Sequence, residues 1–280
     1  LTGPTAAGKS ALAIPLARQL DAEIVSVDSM AVYRGLDVGT AKPSAEDRKA
    51  VAHHGVDVVS PAESFSVAEW LAIAAEAVED CRARGRRILF VGGTPLYLRG
   101  LRDGLADLPA ADPALRASLM SEAEAEGSER LHVRLATIDP EAAGRIHPRD
   151  TKRIVRALEV STLTGQPLSA AQVPAHDPIF EERLMILDVT RDALAERIDR
   201  RVETMFAGGL VEETEAALAS PGGIGFTARQ APGYAEAIEF LAGHIDRAEA
   251  IRRTQLRTRQ LAKRQRTWFR SFKKATWIGA

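Results

Sequence analysis

Short apolar runs and longer helical patterns alternate along the first hundred residues. The runs at 23–27, 56–59 and 87–91 predict buried strands, and 184–189 predicts a fourth that returns to the same sheet. Helical spacing fills 11–20, 66–84 and 192–207. Ser66, followed three residues later by Glu69, predicts a capped helix start, and Gly85 a stop. Strands alternating with helices point to an α/β fold built on a parallel sheet. Between residues 108 and 178 the strand pattern vanishes. Helices are expected instead at 113–127, 129–137, 140–146 and 150–164. The predicted organisation is therefore a core of residues 1–107 and 179–280 and a helical insertion of 108–178. A basic helix is expected to close the chain.

The segment ahead of the first helix changes the picture from fold to chemistry. Gly3-Pro4-Thr5-Ala6-Ala7-Gly8-Lys9-Ser10 has the spacing Gly, four residues, then Gly-Lys-Ser. Glycines let successive N–H groups turn inward toward phosphate oxygens, Lys9 adds a mobile positive charge, and the Ser10 hydroxyl can sit on Mg²⁺. The helix that follows presents its positive end to the same anion. Such a loop holds a diphosphate or polyphosphate and makes the core P-loop NTPase-like. It normally follows a strand, so Leu1-Thr2 is expected to be the end of one that began upstream.

Asp28-Ser29 closes the 23–27 run, and Gly92-Gly93-Thr94 closes the 87–91 run. Groups at the carboxyl ends of parallel strands face the ligand crevice. Asp28 is thus placed to act as a base or to share a metal ion. The polar stretch Gly39-Thr40-Ala41-Lys42-Pro43 is expected to touch substrate. Arg197 and Arg201, one helical turn apart, share a face. His53 and His54 have no metal-ligand partner at useful spacing and are expected to be structural.

Composition narrows the class. A hydrophobic fraction of 45% and a charged fraction of 27% are those of an ordinary globular protein. No apolar run approaches the ~20 residues that span a bilayer. Cys81 is the single cysteine, which excludes an internal disulfide and fits a reducing, cytoplasmic setting. The net charge of −1 argues against a uniformly basic nucleic-acid binder. Residues 251–280 nevertheless hold Arg252, Arg253, Arg257, Arg259, Lys263, Arg264, Arg266, Arg270, Lys273 and Lys274 with no Asp or Glu. That local excess is the footprint expected for a phosphate backbone.

In order along the chain, these motifs resemble the tRNA dimethylallyltransferases. The resemblance rests on Gly3 to Ser10, on Asp28-Ser29 with Val32-Tyr33-Arg34, on Gly39 to Pro43, and on Val91-Gly92-Gly93-Thr94 with Leu96-Tyr97. It continues through Ile146-His147-Pro148 with Asp150, Arg153 to Val160, Arg229 to Tyr234, Thr258 to Gln265, and Thr267-Trp268-Phe269-Arg270. It implies dimethylallyl diphosphate as donor and the exocyclic N6 of the adenosine just 3′ of the anticodon as acceptor. It also implies Mg²⁺ as the metal and the anticodon stem-loop as the partner, gripped by the insertion.

Residue by residue, the resemblance assigns general-base chemistry to Asp28. It gives Thr94 the bridging oxygen, and Lys9, Arg201 and Arg197 the diphosphate. Contacts to tRNA fall on Asp28, Ser29, Met30, Ala31 and Thr94, on Lys152, Arg153, Ile154, Val155 and Arg156, and on Arg229, Gln230, Ala231, Pro232, Gly233 and Tyr234. Met30-Ala31 and Pro232 depart from the family pattern. An isopentenyltransferase acting on free adenine nucleotide, a small-molecule kinase and a non-catalytic RNA-binding module are the alternatives. A monomer with no membrane attachment is the default expectation.

Overall fold

The central strand is β1, Ala22–Val27, buried along its whole length. A strand with no exposed face needs neighbours on both sides, and in parallel sheets both faces are covered as well. In the computed structural model, which describes residues 1–106, 108–171 and 183–279, β2 (His53–His54) and β3 (Arg87–Gly92) flank β1 in parallel. The β1–β3 register runs from Ala22 opposite Arg87 to Val27 opposite Gly92. Leu1 and Thr2 extend this ladder: Thr2 bridges in parallel to Gly92 on one side and to Ile186 on the other. Ile186 lies in β4 (Met185–Asp188), which pairs in parallel with β5 (Thr276–Gly279). Every pairing is parallel, so Gly3, Asp28 and Gly93 all emerge at the same end of the sheet. β5 has no counterpart in the sequence expectations.

The expected strand at 56–59 is not one. β2 pairs with β1 through the histidines instead, and Tyr33–Val59 is an isolated bridge. Gly55 and Asp57 have φ of 73° and 56°, which breaks extended backbone. The segment turns to hydrogen-bond Ala31 and Val32.

Helices α1 (Lys9–Leu20) and α3 (Val67–Ala83) pack on the sheet; α2 is the short Ala45–Ala50. The Ser66–Glu69 capping box starts α3. Trp70 of α3 is fully buried, donates from Nε1 to the Ser26 carbonyl at 2.8 Å, and stacks on Tyr97 of α4 (Pro95–Asp103) with ring centroids 4.4 Å apart. Truncating such a residue costs about 3–5 kcal/mol. After β4 come α9 (Arg191–Ala207), α10 (Leu210–Ala219), α11 (Tyr234–Leu241) and α12 (Arg247–Phe269). α12 packs against α9 and α11.

Residues 1–102 with 177–280, and residues 103–176, form two compact units. The second holds α5 (Pro113–Glu126), α6 (Ser128–Ile138), α7 (Pro140–Arg145) and α8 (Thr151–Thr164). Its core is built from Leu119, Leu131, Leu135, Ile154, Val155 and Leu158. Asp107 and the 178–179 limit expected from composition lie outside the described residues. Among the described residues no helix is long and apolar enough to cross a membrane.

Candidate active site

At the carboxyl end of the sheet lies a cavity of about 760 Å³. The glycine-rich loop forms its floor through Thr5, Ala6, Gly8, Lys9 and Ser10, the last two opening α1. Lys9 Nζ is folded back onto the carbonyl oxygens of Gly3 and Pro4, both at 2.8 Å. Burial lowers its pKa to about 8, with Arg201 adding to the effect and Asp28 opposing it. Gly3, Pro4 and Ala7 are buried and do not line the cavity. They serve it through their carbonyls, since the Ala7 oxygen accepts from Arg197 at 3.4 Å.

Asp28, Ser29 and Met30 leave β1 and line the same space. Asp28 Oδ1 accepts from the Met30 amide at 2.8 Å. Among the described residues the other carboxylate oxygen has no hydrogen-bond partner. Thr94 follows β3 and takes the Ser29 amide on its hydroxyl oxygen at 3.0 Å. Arg197 and Arg201 reach in from α9. Burial lowers the Arg201 pKa and Asp28 opposes that shift. Arg201 also donates to the Thr40 carbonyl at 3.4 Å. Lys9, Arg197, Arg201, Arg257 and Arg264 face the cavity with Asp28 as the sole carboxylate among its lining residues. Such a site attracts an anion.

Gly39, Thr40 and Ala41 form another wall. Glu213 of α10 holds this wall in place by accepting from the amides of Asp37, Val38 and Gly39 at 2.7, 2.8 and 3.2 Å. Tyr234 completes the arrangement: fully buried, it donates its hydroxyl to Glu213 at 2.6 Å. Burial and the Glu213 charge push the phenol pKa up. Gln230, Ala231 and Pro232 line the cavity, Gly233 is the N-cap of α11 and Arg229 donates to the Ile224 carbonyl. Ala31 is buried outside the cavity.

Sequence reasoning missed the wall supplied by α12. Thr258, Leu261 and Gln265, at i, i+3 and i+7, turn one helical face to the cavity, with Arg257 and Arg264 beside them. Val202 and Met205 of α9 add apolar surface. The i, i+3, i+7 spacing was visible in the sequence; what it faced was not. The basic excess at the end of the chain also changes meaning. Arg253 pairs with Glu239, Arg257 with Glu236, Arg259 with Asp199 and Arg266 with Asp188. Acids from other elements neutralise much of it.

On α8, Lys152, Arg153, Ile154, Val155 and Arg156 belong to the other unit. Ile154 and Val155 are buried in its core. Arg156 binds the fully buried Glu159 at 2.7 Å and the Pro109 carbonyl at 2.8 Å. The Arg153 side chain is 64% exposed beside Asp150.

His54 acquires partners that sequence spacing does not show. Glu23, His54 and Cys81 bring their ligand atoms within 4.8 Å of one another. Arg84 binds both Glu23 oxygens, at 2.5 and 3.0 Å, so the carboxylate is already neutralised and the cluster is an ion-pair knot. The Arg84 hydrogen bonds hold the Glu23 pKa down at about 2.

Residues 31–272 match the family model described as IPP transferase, and residues 1–54 match Isopentenyl transferase. The chain belongs to the IPP transferase family. It is 48% identical to a tRNA dimethylallyltransferase of Anaeromyxobacter dehalogenans, covering 99% of this chain and 93% of that one. A tRNA dimethylallyltransferase of Geobacter metallireducens is 47% identical over 99% of this chain and 90% of its own length. Among solved structures, the tRNA isopentenylpyrophosphate transferase of Bacillus halodurans superposes with a TM-score of 0.70 at 39% identity, covering 99% and 88% of the two chains. A eukaryotic dimethylallyltransferase acting on tRNA superposes with a TM-score of 0.79 at 26% identity, covering 99% and 72%. The IPP transferase family is one of prenyl transferases.

Proposed function

We propose that the protein transfers a dimethylallyl group from dimethylallyl diphosphate to the exocyclic N6 of a tRNA adenosine just 3′ of the anticodon, releasing diphosphate. The observation that carries this reading is a cavity in which a carboxylate, Asp28, faces the phosphate-type loop and its cations. The names of the relatives given above support a dimethylallyl donor and tRNA as the acceptor.

In the reaction a bond forms between N6 and the allylic carbon while the carbon–oxygen bond to diphosphate breaks. Negative charge therefore grows on the departing diphosphate. Lys9, the loop amides, Arg197 and Arg201 are arranged to receive it. The Thr94 hydroxyl serves the bridging oxygen. An adenine amine is a poor base, so its proton leaves as or after the bond forms, and Asp28 takes it. The Ser10 hydroxyl is a hard oxygen donor that fits Mg²⁺. When bound there, the ion would offset diphosphate charge. The apolar surface of Val202, Met205 and Leu261 suits the prenyl tail.

The core is of the P-loop type on this reading, supported by the parallel bridges of Thr2, the glycine-rich loop and α1 in that order. The unit of residues 103–176 grips the anticodon stem-loop, with exposed Arg153 as one contact. A target base must leave its stack to be reached, which costs a few kcal/mol and is least costly in a loop. The test offers radiolabelled dimethylallyl diphosphate with Mg²⁺ to unmodified tRNA and to AMP side by side, with Lys9→Ala as control. Label in tRNA alone, lost in the control, supports the reading. Label in AMP transfers the protein to the free-nucleotide branch.

A further inference from the structure

Gln265 is 7% exposed and uses both ends of its amide. Its Oε1 accepts from the Thr5 amide at 2.8 Å, and its Nε2 donates to the Gly93 carbonyl at 2.7 Å. One side chain of α12 thus joins the phosphate-type loop to the turn that presents Thr94. The space around that turn is tight. A Cβ at Gly93 would lie 2.8 Å from Gln265 Nε2, 3.1 Å from the Gly3 carbonyl oxygen and 3.4 Å from Lys9 Nζ. The loop, Lys9, the Gly93 turn and Gln265 therefore meet at one point. The Thr5 amide, committed to Gln265, leaves an incoming anion to the later amides of the loop.

We propose that Gln265 is a positioning residue that sets the spacing between the diphosphate-holding loop and the turn carrying Thr94. This rests on the dimethylallyl-transfer reading. Through Thr94 and its bond to Ser29, the same strut fixes the turn that bears Asp28. Displacement of reacting groups by about 1 Å can cost on the order of 100-fold in rate. Gln265 lies at the cavity wall beside the donor loop, while the side chains proposed to contact tRNA are other residues, so the effect is read in the single-turnover rate at saturating donor.

The experiment compares wild type, Gln265→Met and Gln265→Glu in single-turnover transfer to tRNA, with tRNA affinity and thermal unfolding measured in parallel. The Met variant keeps the volume and loses both hydrogen bonds. It should react on the order of 100-fold more slowly while tRNA affinity is unchanged. A neutral Glu carboxyl can accept from Thr5 and donate to Gly93, whereas the ionised form sets two acceptors against each other. The Glu variant should therefore recover relative to wild type as pH falls, a profile that packing alone does not produce. A Met variant as fast as wild type, or a Glu variant whose ratio to wild type ignores pH, overturns the inference. An inactive wild type overturns the underlying reading instead.

Discussion

The Ser29 amide donates to Thr94 Oγ1 at 3.0 Å, tying the turn after β1 to the turn after β3. Asp28 and Thr94 come from strand ends 66 residues apart in number, yet they line one cavity because β1 and β3 run parallel in register. The proposed base and the proposed donor to the leaving group thus move as one unit.

Asp28→Asn keeps the shape of that unit and removes the proton acceptor. Single-turnover transfer should fall by about 10²–10⁴-fold with tRNA affinity retained, as read by filter binding. Unchanged kinetics would remove Asp28 from the base role.

Lys9 carries its own pH signature. Its pKa of about 8 in the free site means that the charged form is lost as pH rises through 8. An anionic donor binds the charged form, so the KM for dimethylallyl diphosphate should climb above pH 8. Lys9→Arg, charged throughout, should flatten that limb whatever its absolute activity. A KM independent of pH in the wild type between 7 and 9 would contradict it.

Paired and unpaired cations on α12 should behave differently toward RNA. Arg264 lines the cavity and has no ion pair among the described residues, whereas Arg259 is bound to Asp199 at 2.5 Å. Arg264→Ala should reduce the slope of log affinity against log salt by about 1, and Arg259→Ala should leave it unchanged. Arg153→Ala in the other unit should act like Arg264→Ala, because its pair with Asp150 is long, at 3.4 Å, and its side chain is 64% exposed. Arg156→Ala should instead lower the melting temperature, because it removes one of the guanidinium groups on buried Glu159. Equal salt slopes for all four variants would sink the distinction.

Gly39 faces the Tyr234 ring so closely that a Cβ would lie 2.5 Å from it. Gly39→Ala should destabilise the fold by about 1–3 kcal/mol, measured by urea unfolding, and lower transfer by displacing the Thr40 wall that meets Arg201. Wild-type stability would mean that the Tyr234–Glu213 support is looser than its 2.6 Å hydrogen bond implies.

Much of this was legible from local pattern. The Ser66–Glu69 cap, the glycine-rich loop opening a helix, and the β4 segment all follow from neighbours in sequence. The failures share a cause. The 56–59 run is apolar enough for a strand, but Gly55 and Asp57 turn it away and the ladder takes the histidines instead. The terminal basic stretch gives no sign that Arg257, Arg259 and Arg266 are paired until Glu236, Asp199 and Asp188 arrive from other elements. Gln265 is a polar residue on a helix until folding brings Thr5 and Gly93, 260 and 172 positions away, to its two ends. Long-range partners leave no periodic trace.

Acid should expose the Glu23 knot. Its carboxylate is held near pKa 2 when folded, against 4.5 for an ordinary glutamate. A depressed folded pKa contributes stability above the unfolded value, and that contribution drains away as pH falls from about 5 toward 2. The urea midpoint of the wild type should drop over that window, and Glu23→Gln should drop less steeply.

The central claim is that an adenosine N6 of tRNA receives the prenyl group. Its most direct test is mass spectrometry of nucleosides digested from tRNA after reaction with dimethylallyl diphosphate and Mg²⁺. The account predicts an adenosine heavier by one dimethylallyl group, confined to the residue 3′ of the anticodon and missing with Lys9→Ala. The added mass on another nucleoside, or on none while free AMP is prenylated, would contradict it.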